Sequence, residues 1–270
     1  MNDHLSREQS GRLAALMREE LNEMMTAAHE LGDIVAMSER GREYLALLNR
    51  GLCRQLRLTR HLDLMHRLTD ENEIRLTLRP VDLVELCRNL MEHTESVLCA
   101  RRLRVTFRSR LTHLLTLADK VRLEDMLLCL ISNSVHAADE GGAIDLTLEQ
   151  RGDRILLLLT DNGGGVSGEA LAEFFAYEDA EYDEPAEVTM KLGLPLARQI
   201  AMLHGGFVIA DNYAGKGVRF AVLLPRLDPE TQSCLRSPLP EPQEAGWDRV
   251  LVELSDALPA RSFLPEELNG

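Results

Sequence analysis

A stretch of some sixty residues near the start of the chain constrains the fold most. From about Arg7 to Leu68 there is almost no proline, and the apolar residues keep a heptad rhythm. Met17, Leu21, Met24, Ala28, Leu31 and Val35 follow one another at intervals of 4, 3, 4, 3 and 4 residues, one stripe along an α-helix. A polar break at Ser38-Glu39-Arg40-Gly41 interrupts it, and a second stripe runs through Leu45, Leu48, Leu52, Leu56, Leu62 and Met65. Two long helices joined by a short turn make an antiparallel hairpin. Its apolar seam needs cover, and the expected cover is a second copy, giving a dimeric four-helix bundle. The alternative is packing on the rest of its own chain.

Beyond this hairpin the period changes. Helical patterns at 81–98, 120–138 and 193–203 alternate with strand patterns at 103–107, 114–117, 143–149, 154–160, 207–211 and 218–224. Helices grouped against a mostly antiparallel sheet make a two-layer α/β sandwich, so the chain is expected to be α+β. Aromatic residues are only 4%, which leaves Leu, Ile, Val and Met to fill the core. Seven of the ten prolines fall at or after Pro225, so the end of the chain reads as a linker or loose extension. One apolar patch there, Trp247 with Val250, Leu251, Val252 and Leu254, is suited to docking on the body or on a partner. The expected domains are 1–72, 78–227 and 228–270.

Composition narrows the partners. With 30 Lys plus Arg against 44 Asp plus Glu, the net charge of −14 would be repelled by a phosphate backbone, so no nucleic-acid partner is expected. No apolar run approaches the ~20 residues a spanning helix needs, and no signal core opens the chain. Five widely spaced cysteines without a Cys-x-x-Cys pair suit a reducing compartment, so the expected location is cytoplasmic, without membrane insertion.

Three segments carry chemistry. Asp161-Asn162-Gly163-Gly164-Gly165-Val166 follows a buried strand. A carboxylate at a strand end can accept from an exocyclic amine, and glycines after it let a flat ring come close. Taken alone, such a loop is more often a plain tight turn. Asn133 and His136 stand one turn apart on the polar face of an apolar helix. There an amide oxygen can ligate magnesium and an imidazole can approach phosphate; the simpler reading is a solvated helix face. Lys191-Leu192-Gly193-Leu194 places a glycine at the mouth of a helix, where free N–H groups attract phosphate, or where an ordinary cap would suffice.

The order and spacing of these segments resemble the ATP-binding domain shared by histidine kinases, gyrase, heat-shock chaperones and mismatch-repair ATPases. The resemblance spans about Pro80 to Pro225. It implies that Asn133 binds magnesium, that Asp161 reads adenine within a first glycine box containing Gly163 and Gly165, and that Gly193-Leu194 belongs to the second glycine box. Val166, Leu192, Lys191 and His136 then line the ATP site. Phe174-Phe175 matches the phenylalanine box, and Gly205-Gly206 and Gly215-Lys216-Gly217 are also characteristic. The hairpin resembles the dimerisation and phosphoacceptor domain of two-component histidine kinases, with 42–45 and 62–64 fitting its second helix. ATP and Mg2+ are the implied cofactors, and a homodimer and a response regulator the implied partners.

The sequence departs from that family in several places. Counting back from Leu62 puts the acceptor histidine's place near Ala15, and alanine has no nucleophilic nitrogen. His29-Glu30 is a histidine–glutamate pair, but it lies near the closed end of the hairpin, which makes His29 a weak candidate acceptor. Two of three glycines in the second box are replaced, the run being Thr189-Met190-Lys191-Leu192-Gly193-Leu194. Lys191 is either a cation for the phosphates or a solvated residue of the lid. That lid carries Glu178, Asp179, Glu181, Asp183, Glu184 and Glu187, with no base between Tyr177 and Met190. Cys129 stands where the ATPase branches carry a water-activating glutamate, which argues against them. The expected function is an ATP-binding, histidine kinase-like signalling protein. The alternatives are an inactive pseudokinase or dimeric scaffold, and a serine kinase of the anti-sigma-factor type, which the long hairpin argues against.

Overall fold

A computed structural model describes residues 17–28, 30–31, 38–69, 76–166, 185–213, 217–228 and 248–264, with backbone alone for 68, 69 and 185–191. His29, Ala15, the acidic lid before Pro185, Phe174-Phe175 and Trp247 lie outside these residues. The chain forms two compact units, the first residues 1–74 together with 244–270 and the second residues 75–243.

In the first unit, helix α1 (residues 17–28) and helix α2 (Glu39–Thr69) form the hairpin. The Ser38 hydroxyl accepts from the Gly41 N–H at 3.0 Å and caps α2. Arg18 pairs with Asp63 at 2.5 Å, which fixes the antiparallel register. The two stripes divide between two surroundings. Ala28, Leu45, Leu52, Leu56 and Met65 are buried, whereas Met17, Met24, Leu31, Leu48 and Leu62 stay exposed.

The apolar patch read at the end of the chain as suited to docking packs, over residues 248–264, on α2. Helix α6 (Arg249–Glu253) and a 3-10 turn (Ala260–Phe263) make this contact. Asp248 caps α6 by accepting from the Val250 and Leu251 N–H groups. Val250, Leu251, Val252, Leu254, Leu258 and Phe263 are all buried, and this apolar content outweighs the prolines before them. Asn49 donates to the Phe263 carbonyl at 3.1 Å.

The second unit holds the α/β sandwich. Its main sheet has the order β2-β4-β5-β7-β6, with β2 Arg104–Ser109, β4 Ala143–Arg151, β5 Arg154–Asp161, β6 Phe207–Asn212 and β7 Val218–Pro225. The β2–β4 pair is parallel and the others are antiparallel. Strands β1 (Arg79–Asp82) and β3 (Leu115–Ala118) form a small second sheet. Helices α3 (Leu83–Val97), α4 (Lys120–Ala137) and α5 (Pro185–Leu203) complete the unit. Strands β5 and β7 alternate buried and half-buried residues, as a sheet covered on one face requires. Ile155, Leu157 and Leu159 of β5 and Phe220, Val222 and Leu224 of β7 supply core side chains, as do Leu123, Leu127, Leu130 and Ile131 of α4. Burial drives the Cys53 and Cys87 thiols up to about 12, so both are inert packing residues.

Candidate functional site

The alternation of β5 decides where Asp161 goes. Ile155, Leu157 and Leu159 point into the core, and Asp161 continues the same parity, so a carboxylate sits where the next apolar residue would stand. It is 4% exposed. Its Oδ1 accepts from the Gly163 N–H at 3.1 Å and the Val218 N–H at 3.0 Å. Its Oδ2 is buried and has no partner among the described residues. Buried carboxylate oxygens are nearly always bonded, and leaving one unmatched costs ~1–3 kcal/mol. The geometry fixes one oxygen and leaves the other for an external donor.

The glycines that follow are required by space and backbone. A Cβ on Gly163 would lie 2.3 Å from the Ala137 carbonyl oxygen, so the loop runs hard against the end of α4. Gly165 has φ +72°, in the left-handed region that glycine adopts without strain. Val166 is bonded through both its N–H and its C=O to the side chain of Asn212.

One turn back along α4 from Ala137 lies Asn133. Its Nδ2 donates to the Cys129 carbonyl at 2.7 Å, so Oδ1 is the atom presented for coordination. A neutral amide oxygen suits a hard cation. His136 Nδ1 bonds the Ser132 carbonyl of its own helix at 2.7 Å. Both residues are half-buried. Gly193 comes to this place from α5: a Cβ there would stand 3.7 Å from Asn133 Nδ2 and 3.7 Å from Cys129 Cβ. Leu192 and Leu194 are buried core residues, so a ligand can meet only their main chain. Lys191 lies on the α5 backbone, and its side chain is outside the described part.

One expectation needs correction. The sequence suggests a helix beginning at Gly193, but α5 begins eight residues earlier, at Pro185. Proline is well suited to a first helical turn, and Ala186, Glu187, Met190, Lys191 and Leu192 are mostly good helix formers. Gly193 therefore lies inside α5, and its value is the close approach to Asn133 rather than free N–H groups. Pro195, also inside α5, has no N–H to give to the carbonyl four residues back.

Sequence reasoning missed Asn212, Val218 and His204. Only the glycines before β7 hinted at the first two. His204 Nε2 accepts from the Asp119 N–H at 3.2 Å, while Nδ1 bonds the Ile200 carbonyl at 2.8 Å. The ring is thereby held neutral between α5 and the start of α4. Burial is the main influence lowering its pKa below 6.5.

A two-layer sandwich with a carboxylate at the end of a core strand, a glycine loop after it and an asparagine on the facing helix defines a class of ATPase domain. Residues 118–228 match the family of histidine kinase-, DNA gyrase B-, and HSP90-like ATPases. The alginate biosynthesis sensor protein KinB of Pseudomonas aeruginosa is 32% identical over 112 residues, which is 40% of this chain and 18% of that protein. The sensor histidine kinase ZraS of Klebsiella oxytoca is 29% identical over 175 residues, 62% of this chain and 37% of that protein. Full-length ShkA in complex with AMPPNP superposes with a TM-score of 0.67 at 25% identity, covering 82% of this chain and 46% of that one. The histidine kinase ThkA in complex with the response regulator TrrA shares the fold, with a TM-score of 0.57 at 20% identity over 86% of this chain and 65% of that one. Residues 118–228 thus carry an ATPase domain of this kind, similar to that of two-component sensor histidine kinases, and the chain spans 18% and 37% of the length of these two curated relatives.

Proposed function

We propose that this chain binds Mg-ATP in its second unit and signals as a homodimer in a two-component system. The buried, unpartnered Oδ2 of Asp161 carries this reading. It lies at the close of a core strand with its companion oxygen already engaged, and the exocyclic amine of adenine is the donor it lacks. Asn133 supplies an amide oxygen for magnesium. Gly193 keeps the wall beside Asn133 low enough for phosphates, and Gly163, Gly165 and Val166 border the base. Magnesium would neutralise phosphate charge there. Lys191 and His136 are the side chains assigned to the phosphates, together with the backbone at 192–194.

The hairpin supports the dimer, because Met17, Met24, Leu31, Leu48 and Leu62 leave a heptad seam uncovered. A response regulator is the partner that the family implies, and the ThkA complex is an instance of such an assembly in a relative. Among the described residues no helix is long and apolar enough to cross a membrane, which fits the proposed cytoplasmic location. A second reading, a nucleotide-binding scaffold without phosphoryl transfer, is favoured by Ala15 at the acceptor's place and by the lost glycines before Gly193.

Calorimetry with ATP, with and without magnesium, on wild type and Asp161→Asn tests the proposal. The amide turns an N–H or a weaker oxygen toward the adenine amine, and affinity should fall about tenfold to a hundredfold. Equal binding by both proteins would remove Asp161 from the site.

A further inference from the structure

We propose that Asn212 is a positioning residue for the nucleotide loop, gripping its far end while Asp161 forms its near end. The inference rests on the nucleotide-binding reading and adds to it a residue outside the sequence motifs. The Asn212 side chain bonds a single residue in both directions. Its Nδ2 donates to the Val166 carbonyl at 2.8 Å, and its Oδ1 accepts from the Val166 N–H at 3.0 Å. A primary amide carries donor and acceptor in one plane, so it matches the N–H and C=O of one extended residue as a neighbouring strand would. Serine has one such atom, and aspartate has only acceptors.

The grip is tied to Asp161 through one β-bridge. Asn212 ends β6 and is the register partner of Val218, the first residue of β7. The Val218 N–H donates to Asp161 Oδ1. One partner of the bridge therefore sets the rotamer of the base-reading carboxylate, and the other sets the course of the chain five residues later. Between them, Gly165 leaves the room this needs, since a Cβ there would stand 3.0 Å from Asn212 Oδ1. The end of the hairpin is itself braced. The Tyr213 N–H donates to the Gly217 carbonyl at 3.2 Å. Arg219 Nε donates to Asp211 at 3.0 Å, and its guanidinium lies 5.2 Å from the centre of the Tyr213 ring. Asn212 is exposed, so its removal costs little core packing.

Two measurements on wild type, Asn212→Ala and Asn212→Asp separate the grip from the ligand. Amide hydrogen exchange of the nucleotide-free protein should speed up at 163–166 by roughly tenfold in Asn212→Ala, while β5, β7 and the thermal midpoint stay put. Titration with Mg-ATP should show affinity falling by roughly tenfold in the same variant. Asn212→Asp keeps the shape but turns an acceptor toward the Val166 carbonyl, so it should not rescue either readout. Unchanged exchange in Asn212→Ala would overturn the grip. Faster exchange with unchanged affinity would overturn its role in nucleotide binding. Faster exchange in a protein whose wild type binds no nucleotide would overturn the nucleotide reading itself and leave a purely structural clamp.

Discussion

Arg57 and Glu253, separated by 196 positions in sequence, form a buried ion pair at 3.0 Å. The second carboxylate oxygen of Glu253 takes His61 Nε2 at 3.0 Å, and Arg57 reaches Asp256 at 2.7 Å. Asp256 also pairs with Arg54 at 2.7 Å. Arg50 donates to the carbonyls of Ser255 and Asp256. A cationic stripe on α2 is thus met by an acidic element from the end of the chain. Removing one member of a buried pair leaves the other charge stranded, at about 3–5 kcal/mol, whereas replacing both with apolar residues is far milder. Arg57→Ala should therefore release 248–264 from α2, seen as faster hydrogen exchange across that stretch. Arg57→Met combined with Glu253→Met should retain the packing. Equal loss in both variants would mean that the contact is held by shape alone.

The same element should respond to acid. Burial tends to raise the Glu253 carboxyl, but the charges of His61 and Arg57 and the bond from His61 prevail and hold it at about 2, below its ordinary 4.5. A group with a lowered folded pKa contributes stability above its unfolded value and loses it as the pH falls toward the folded one. Protection of 248–264 should be level above pH 5 and decline between about 4.5 and 2. In Glu253→Gln that decline should be shallower.

A different window applies to the second unit. Desolvation is the leading cause that lowers His204 below its ordinary 6.5. The unfolded chain then binds a proton that the folded unit refuses, so stability falls as the pH drops below about 6.5 and is unaffected above it. Thermal midpoints of the second unit between pH 8 and 5 should show this slope, and His204→Gln should flatten it. A slope of the same size in His204→Gln would assign it to other groups.

Much of this was legible because periods are local. The limits of α4 and of β4 to β7 agree with the sequence patterns to within two residues, since each buries one face at period 3.6 or 2. Asp161 and Gly163 were found because a short motif places them. Asn212 was not, because its partner Val166 lies 46 residues away and no local pattern encodes that contact. The apolar patch at the end of the chain suggested docking, but the surface it docks on was hidden for a related reason. The prolines there are visible in sequence, whereas the cations that hold Glu253 are on a helix nearly 200 positions earlier. The early start of α5 went unread because Gly193 suggested the mouth of a helix rather than an interior position.

The uncovered seam predicts association. Met17 and Met24 on α1 and Leu31 beyond it recur at intervals of seven and stay exposed, as do Leu48 and Leu62 on α2. At ~25 cal/mol per Å², five such side chains left in water favour a second copy strongly. Sedimentation should give a dimer at micromolar concentration, and Leu48→Lys or Met24→Glu should shift it to monomer without loss of helix content. A wild-type monomer would show that the seam is left open.

The last prediction concerns phosphoryl transfer. Counting back from Leu62 puts the expected acceptor's place at Ala15, whose methyl group cannot attack phosphorus, and Glu19 and Glu20 nearby in sequence offer bases without a nucleophile. Incubation with labelled ATP should therefore leave no acid-labile phosphate at that position. His29 is the alternative acceptor, with Glu30 beside it to take a proton. It is fourteen residues further along the sequence than Ala15. The Arg18–Asp63 pair puts residue 18 opposite the later half of α2. Ala15→His should raise phosphate incorporation, provided that Asn133 and Asp161 bind nucleotide as proposed, and Asp161→Asn in that background should abolish the gain. Strong incorporation in wild type that disappears in His29→Ala would move the acceptor to His29 and overturn the register. Incorporation that survives His29→Ala would point to His4, His61 or His66 instead.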